Sequence, residues 1–426
     1  MSYSSQIDLS KLTKRNYEKI FLKRNPFPST AIPEDLPQVT VDRDNIIRHF
    51  QSVISSLYQD SSSSITVLVG GYGSGKSHLL KIFKFNIFSQ LYDLTPATLP
   101  IYIKSPGTSF LDFFIAMIDD IGKEKIELVS KRLIKKYINN NLNEVTKHFI
   151  KGSIKKEDNI LNMDINEIFK KSIIIDFAND FIRYYNPIIK NTELLAALFF
   201  VSHPSYNIYA WRWFNGEKLT SEERKVILVS GEIEHHRTAY TLIKPVMLCF
   251  KEADMKNLVF LIDELEKILL LSANYRSQYQ DDLRHLIDDN PQNLCMFFSI
   301  TPPEWRKISE QPSAFTRRLE GNIFTLDDFD KERIILLIKG YLHYSRIDGY
   351  KDEMFKKVIS DEKIKESIDY EIYPFSYNAI DSITKQTGRL SSIILLCRNV
   401  LDYYLDKREI YNVINEALIK EYLIGG

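Results

Sequence analysis

The chain has 426 residues, of which 44% are hydrophobic and 26% charged, and it carries 56 basic and 56 acidic residues. This composition indicates a folded protein with more than one domain and excludes a disordered chain. A net charge of zero excludes a protein whose whole surface coats nucleic acid, so a DNA contact would need a local basic patch.

The cysteines and the longest apolar run bear on the cell compartment. Cys249, Cys295 and Cys397 are far apart, so we predict buried thiols in a reducing compartment, without a disulfide framework or a zinc site. The longest apolar run, residues 194–201, is shorter than the roughly 18 residues that a membrane-spanning helix needs, and the polar start has no signal-peptide pattern. We therefore expect a cytoplasmic protein with no membrane contact.

In chain order, residues 1–60 are predicted to form an N-terminal arm and one helix. Prolines between positions 26 and 37 favour an extended arm. Apolar residues recur at helical spacing over 44–57, which predicts an amphipathic helix that precedes the main domain.

The main domain is predicted over residues 61–330. A β-branched strand at 65–69 is followed by a glycine-rich turn, a helix, a second strand at 100–104 and another helix from residue 110. Three further strands are predicted at 258–262, 294–300 and 322–326. This alternation predicts an α/β fold with a parallel sheet. A helical insertion with lysine-rich faces is expected at about 122–245, and a helical lid domain at 331–426.

The glycine-rich turn matches the pattern G-x-x-x-x-G-K-[ST] in full. Its glycines let backbone N–H groups point inward at a phosphate, and the N-terminus of the following helix adds positive potential. Lys76 is expected to neutralise the β- and γ-phosphates, and the Ser77 hydroxyl to bind Mg²⁺. The motif therefore predicts binding of ATP with Mg²⁺ by Gly70, Gly71, Tyr72, Gly73, Ser74, Gly75, Lys76, Ser77 and His78.

Two acids, Asp263 and Glu264, follow the predicted strand at 258–262. Adjacent residues of a strand point in different directions, so the two carboxylates can serve different roles. We expect Asp263 to hold the magnesium ion through water, and Glu264 to polarise the water that attacks the γ-phosphate. Together with the glycine-rich turn, they predict an ATPase that converts ATP and water into ADP and phosphate.

Ser299 and Thr301 lie at the polar tip of the strand at 294–300, where a γ-phosphate sensor could sit; the alternative is a hydroxyl that only stabilises the turn. Arg317 and Arg318 follow. An arginine that reaches the γ-phosphate of a neighbouring subunit would stabilise transition-state charge, but exposed arginines also form ordinary solvated surface. Both alternatives stay open for each pair.

Further along, Thr387-Gly388-Arg389-Leu390 is predicted to open a helix with Arg389 in its first turn. A cation there opposes the helix dipole unless an anion is near, which favours a phosphate contact.

Two weaker patterns have structural interpretations. His235-His236 lacks a suitably spaced third ligand, so we predict a surface pair and no metal site. Trp211-Arg212-Trp213-Phe214 could stack on bases but is more typical of core packing.

The order of these elements resembles the AAA+ superfamily, in the branch of origin-recognition ATPases and transposition regulators. Asn25-Pro26-Phe27 and Val41-Asp42-Arg43-Asp44 are similar to that branch's N-P-F and V-G-R-E boxes, with Asp42 in place of the glycine. The resemblance implies an adenine contact for Arg43. It also implies an arginine finger at Arg318, with Arg317 as the alternative, and a second sensor at Arg389.

A closer resemblance is to the ATP-binding proteins of bacteriophage-exclusion (BREX) systems. It is carried by the segments at 73–79, 211–217 and 283–287, which read GSGKSHL, WRWFNGE and LRHLI. The resemblance implies an oligomeric motor or loader in a DNA-directed process of anti-phage defence, with partners from a defence or DNA-mobility system. The alternative is a nucleotide-gated scaffold that recruits proteins without touching DNA. The lysine-rich insertion favours the first function, and the zero net charge favours the second.

Overall fold

A computed structural model describes residues 15–29, 39–94, 97–148, 160, 163–311, 313–358, 368–386 and 389–425. The chain divides into two compact units. The segments Met1–Asp44, Gly71–Ile82 and Asp327–Gly426 form the first, termed the lid unit. The segments Asn45–Gly70 and Phe83–Leu326 form the second, termed the sheet unit. Residues 30–38 of the predicted arm, together with Thr387 and Gly388, lie outside the described residues.

The described residues of the sheet unit contain five strands. They are β1 (Ser64–Gly70), β2 (Thr98–Ile103), β3 (Asn257–Ile262), β4 (Leu294–Ile300) and β5 (Ile323–Leu326). They form one sheet in the order β2-β3-β4-β1-β5, and every neighbouring pair is parallel. All residues of β3 and β4 are buried, whereas the edge strand β5 is largely exposed. The continuous apolar runs of β3 and β4 therefore suit central strands covered on both faces.

The register of the sheet brings particular strand ends to one level. Ile262 of β3 lies opposite Phe298 of β4, and Ser299 of β4 lies opposite Leu68 of β1. Because the strands are parallel, the residues that follow β1, β3 and β4 all leave from the same edge of the sheet.

The helices of the sheet unit are mostly found between β2 and β3. Those before the insertion are Asp44–Asp60, Lys76–Leu91 and Phe110–Ile121. Each of the first two helices begins in the part of the chain assigned to the lid unit and continues in the part assigned to the sheet unit. Those of the insertion are Lys123–Asn140, Leu142–Val145, Thr146–His148, Ile165–Lys171, Ile174–Ile189, Thr192–Phe200, Asn207–Phe214, Ser221–Val226 and His236–Glu252. Those after β3 are Leu265–Leu270, Ala273–Asp288, Pro302–Ser309 and Ala314–Leu319.

The helix Phe110–Ile121 shows why the insertion and the sheet share one core. Ser109 caps its N-terminus by accepting a hydrogen bond from the Asp112 N–H at 3.2 Å. Its apolar residues, predicted from their spacing to line one face, are all buried: Phe110, Phe113, Phe114, Met117, Ile118 and Ile121. They belong to the same apolar cluster as residues of β2, β3 and the insertion helices.

The lid unit has a separate apolar core. Where the structure describes this unit, its helices are Tyr17–Ile20, Lys331–Ser345, Asp352–Val358, Tyr377–Gln386, Leu390–Asp406 and Glu416–Gly425. The N-terminal segment packs into this core through Phe27, which is 1% exposed. The Asn25 side-chain amide donates to the Arg398 carbonyl at 3.1 Å, so the N-P-F segment is fixed to the helix Leu390–Asp406.

The predicted fold class, a parallel-sheet P-loop core with a helical insertion and a helical C-terminal part, is confirmed by these elements. Within the described part of the chain, no helix combines the length and the apolar character needed to cross a membrane.

Candidate functional site

The glycine loop follows β1 directly along the chain and leads into the helix Lys76–Leu91. Gly73 and Gly75 have φ angles of +85° and +93°, a region that side chains with a Cβ rarely adopt. Lys76 is buried, and its ammonium donates a hydrogen bond to the Gly71 carbonyl at 2.9 Å. The loop therefore depends on its glycines for its backbone path.

Residues from the end of the chain lie against this loop within the lid unit. A Cβ built on Gly71 would lie 3.0 Å from the Asp328 Oδ1, and one on Gly73 would lie 3.5 Å from the Leu390 backbone nitrogen. Leu390 is the first residue of its helix, so the N-terminus of that helix borders the loop. Helix N-termini carry partial positive charge, which suits the neighbourhood of a phosphate.

This helix begins at Leu390, one residue later than predicted. Arg389 is therefore its N-cap residue and does not form part of its first turn. Its backbone is extended, with φ −98° and ψ 121°, and its carbonyl accepts the first hydrogen bond of the helix from the Ile393 N–H at 3.0 Å. The Arg389 side chain is exposed.

Arg43 also contacts the loop. Its guanidinium donates to the Ser74 carbonyl at 3.0 Å and to the Asp327 carbonyl at 3.1 Å, and it lies 5.2 Å from the ring centre of Phe329. Burial lowers the pKa of Arg43, and the neighbouring Arg333 lowers it further. The structure thus places the predicted adenine contact beside the glycine loop.

Asp42, which replaces the glycine of the resembling box, has a φ of 53°. Glycine adopts this left-handed conformation without cost, whereas a residue with a Cβ does so rarely. The Asp42 carboxylate accepts a hydrogen bond from the Arg333 Nε at 2.7 Å. This ion pair offsets part of the backbone cost at Asp42.

The other loop residues differ in exposure. Tyr72 is 79% exposed, whereas Ser74 is buried and its hydroxyl oxygen has no hydrogen-bond partner among the described residues. Ser77 is half-buried. The Val39 carbonyl accepts a hydrogen bond from the His78 Nε2 at 2.8 Å, and burial lowers the pKa of His78.

Asp263 follows β3 at the edge of the sheet and is 3% exposed. Its Oδ1 accepts hydrogen bonds from the Ser299 hydroxyl and, at 3.0 Å, from the Glu264 N–H. Its Oδ2 accepts one from the Tyr102 hydroxyl at 3.0 Å. These donors stabilise a buried carboxylate that would otherwise be costly.

Glu264 differs from its neighbour in conformation and exposure. It has a φ of 51°, and this left-handed turn directs its backbone N–H toward the Ser299 hydroxyl, which accepts at 3.2 Å. Its side chain is 41% exposed, and Oε2 lies 3.8 Å from the Lys267 ammonium. One acid is therefore held rigidly and the other is accessible to solvent.

The two sensor candidates are not equivalent. Ser299 is fully buried and contacts both acids, as described above. The Thr301 hydroxyl donates to the Glu304 carboxylate in the first turn of the next helix, and this bond lowers the pKa of Glu304. The structure brings Ser299, and not Thr301, to the acid pair.

Arg317 and Arg318 are both exposed on the helix Ala314–Leu319. The Arg318 Nε donates to the Asp288 carboxylate at 2.6 Å, and Arg318 holds the pKa of Asp288 below its usual range. Arg318 is therefore engaged within its own chain.

The side chains of the two weaker sequence patterns bond to partners other than the acid pair. Trp213 is buried and its indole N–H donates to the Gly231 carbonyl at 2.9 Å, as expected for core packing. His235 is exposed, and His236 is half-buried: its Nδ1 accepts from the Phe110 N–H at 3.0 Å and its Nε2 lies 2.7 Å from Asp282. The described residues contain no group of three or more His, Cys, Asp or Glu that could hold a metal ion by themselves.

Some basic side chains of the lysine-rich helix Lys123–Asn140 bond to other groups of the same chain. Arg132 donates to the Ala253 carbonyl at 3.1 Å, and Lys136 donates to the Glu252 carboxylate at 3.1 Å. Lys135 is exposed and Lys131 is half-buried.

Two residues near the candidate positions were not predicted from the sequence. Tyr102 bonds to Asp263, and Arg333 bonds to Asp42. The sequence signal for Tyr102 is its hydroxyl, a polar group within the otherwise apolar strand at 100–104. Nothing local to Arg333 indicates its partner, which lies 291 residues away.

A family model described as "BREX system ATP-binding protein BrxC/D" matches residues 30–337. No curated protein matches the chain. Among solved structures, the chain is similar to the Aeropyrum pernix ORC2 protein in its ADPNP-ADP complexes, with 8% identity and a TM-score of 0.44, covering 92% of this chain and 69% of that chain. It is also similar to Drosophila ORC bound to DNA, with 10% identity and a TM-score of 0.43, covering 99% and 70%.

The family match begins at residue 30, within the predicted arm, and spans the glycine loop, the insertion, the acid pair and the five strands of the described residues. It confirms the resemblance predicted from the segments at 73–79, 211–217 and 283–287, all of which lie inside it. Since this family model matches more than half of the sequence, the chain belongs to the family of BREX system ATP-binding proteins BrxC/D.

Proposed function

We propose that the chain binds ATP together with Mg²⁺ and hydrolyses the bond to the γ-phosphate. The observation that carries this proposal is Asp263, a carboxylate buried at the edge of the sheet and held by three donors, in a chain of an ATP-binding family. The glycine loop continues from β1, which leaves the sheet at the same edge.

Each residue has a role that its chemistry supports. The Lys76 ammonium neutralises charge on the β- and γ-phosphates. The Ser77 hydroxyl and the Asp263 carboxylate would hold Mg²⁺, a hard cation that prefers oxygen ligands and usually keeps several waters. When bound, the ion would supply charge neutralisation at the phosphates. Glu264, which is accessible to solvent, polarises the attacking water.

The phosphate role of Lys76 can be tested with a matched lysine. Lys76→Ala should abolish tight ATP binding, measured by titration calorimetry. Lys256→Ala removes an exposed lysine just before β3, at the opposite edge of the sheet, and should bind ATP as the unmodified chain does. Equal affinities in the two variants would contradict the assignment of the glycine loop.

The role of Glu264 predicts a different outcome. Glu264→Gln should retain ATP binding but lower turnover by about 10² to 10⁴-fold, because only the group that polarises water is lost. Normal turnover in this variant would exclude Glu264 as the group that polarises the attacking water.

We further propose that the chain acts as an oligomer in which an arginine of one copy completes the site of the next. Support comes from Arg317 and Arg318, which are exposed on a short helix after β4. An arginine supplied in trans contributes about 10³ to 10⁵-fold to turnover. Mixing Arg318→Ala subunits with Lys76→Ala subunits should restore part of the activity, and a parallel mixture with Arg317→Ala identifies which arginine acts. No recovery despite co-assembly would contradict a shared site.

For the cellular role, we propose a motor or loader acting in a DNA-directed step of phage defence, with partner proteins from the same system. Lys135, exposed on the insertion, supports a local DNA contact. A nucleotide-gated scaffold is the second candidate. It is favoured by Lys136, which forms an ion pair with Glu252, by Arg132, which donates to a backbone carbonyl, and by the zero net charge.

A further inference from the structure

Tyr102 lies on the edge strand β2, next to the strand that carries the acid pair. Its hydroxyl donates to the Asp263 Oδ2 at 3.0 Å. A tyrosine hydroxyl carries its proton at neutral pH, so it acts as the donor to an ionised carboxylate.

The backbone of Tyr102 is fixed as well. On the free side of the edge strand, its N–H donates to the Asp120 Oδ2 at 2.8 Å. The other oxygen of Asp120 forms an ion pair with Lys84 at 2.5 Å. Lys84 belongs to the helix that begins at Lys76, and Asp120 to the helix Phe110–Ile121. Two helices therefore hold Tyr102 in place.

The hydrogen bonds of Asp263 leave one direction open. An ionised carboxylate has about four lone-pair positions, two on each oxygen. Oδ1 accepts from Ser299 and from the Glu264 N–H, so both of its positions are used. Oδ2 accepts from Tyr102 alone among the described residues, so its second position is free to accept from another donor.

We propose that Tyr102 is a positioning residue that orients Asp263 so that Oδ2 alone receives a water of the magnesium shell. This inference rests on the proposed function, in which Asp263 holds the ion. Groups that bond to a metal-binding carboxylate fix its direction, and their loss typically costs about 10- to 100-fold in metal affinity. Without Tyr102, both positions of Oδ2 are open and the carboxylate can rotate.

A purely structural role for the Tyr102 hydroxyl would give a different result. It would contribute to stability by satisfying a buried carboxylate but would leave the dependence of nucleotide binding on Mg²⁺ unchanged. The test therefore measures that dependence and not activity alone.

The experiment titrates the non-hydrolysable analogue ADPNP into the full chain by calorimetry, once with Mg²⁺ and once with EDTA. The ratio of the two affinities reports the contribution of the metal. Tyr102→Phe keeps the ring and should lower this ratio by about tenfold, the lower end of the expected range. Its affinity in EDTA should be unchanged, which also shows that the variant is folded.

Tyr185→Phe is the matched control, because the buried Tyr185 hydroxyl donates one hydrogen bond to the Leu133 carbonyl at 3.0 Å. Its ratio should equal that of the unmodified chain. An unchanged ratio in Tyr102→Phe, an equal fall in both tyrosine variants, or an equal loss of affinity with and without metal would each overturn the inference.

Asp263→Asn separates this inference from the proposed function. If Asp263→Asn abolishes the effect of Mg²⁺ and Tyr102→Phe does not reduce it, only the role of Tyr102 is wrong. If Asp263→Asn leaves the effect of Mg²⁺ intact, the metal role of Asp263 fails, and the inference about Tyr102 fails with it.

Discussion

Replacing the hydroxyls of Ser299 and Thr301 distinguishes the two sensor candidates. Ser299 is fully buried, donates to Asp263 and accepts from the Glu264 N–H. Thr301 donates to Glu304, whose side chain is 26% exposed. We expect Ser299→Ala to reduce both stability and turnover, and Thr301→Val, which keeps the shape of the side chain, to leave turnover nearly unchanged.

The size of the effect follows from the bonds that are lost. A hydrogen bond to a charged group contributes about 1.5–3 kcal/mol. In Ser299→Ala, the Glu264 N–H keeps the Asp263 Oδ1 as its acceptor at 3.0 Å, so no backbone donor is left unpaired. We therefore expect the free energy of unfolding to fall by about 2 kcal/mol. If the same bond orients Asp263 in the transition state, turnover should fall about 30-fold.

In Thr301→Val, water can replace the lost hydroxyl at Glu304, so the cost should stay below about 1 kcal/mol. Urea denaturation measures the free energy of unfolding, and steady-state hydrolysis of ATP measures turnover. The assignment of Ser299 would be refuted by a loss of turnover in Thr301→Val that equals or exceeds the loss in Ser299→Ala.

Three other predictions concern stability and DNA. Arg346 is buried, its pKa is lowered to about 10 by burial, and its guanidinium donates to several backbone carbonyls. Arg346→Met leaves these carbonyls without their donor and should therefore cost about 1–3 kcal/mol in urea denaturation. A loss below about 1 kcal/mol would contradict this. Because burial lowers the pKa of His78, folding favours its neutral form, and the free energy of unfolding should fall as pH drops below about 6.5. This fall should be smaller in His78→Gln. If the insertion binds DNA, replacing Lys131 and Lys135 with alanine should reduce the logarithmic salt slope by about 0.9 for each lysine that pairs with a phosphate. No DNA binding at low salt would favour the scaffold.

The strands and the candidate nucleotide residues could be predicted because their signals are local. Continuous apolar runs such as 294–300 predict buried parallel strands, and the structure has β4 at those residues. The glycine loop is recognisable because its backbone path requires glycine at particular positions, and Gly73 and Gly75 have the expected left-handed conformations.

The contacts around Asp263 could not be predicted in the same way, because they depend on the order of strands in space. β3 lies between β2 and β4, so Asp263 meets Tyr102 from one neighbour and Ser299 from the other, although 161 and 36 residues separate them along the chain. A sequence pattern reports which residues form strands but not which strands become neighbours. The pairing of Arg318 with Asp288 was missed for the same reason, since it joins two separate helices.

The ion pair between Asp42 and Arg333 has a consequence for how this family can change over time. Asp42 occupies a left-handed position that glycine would adopt more easily, and its carboxylate is bonded to Arg333 at 2.7 Å. A mutation to aspartate here in an ancestor without the arginine would have carried the backbone cost alone. We therefore expect these two positions to vary together among relatives.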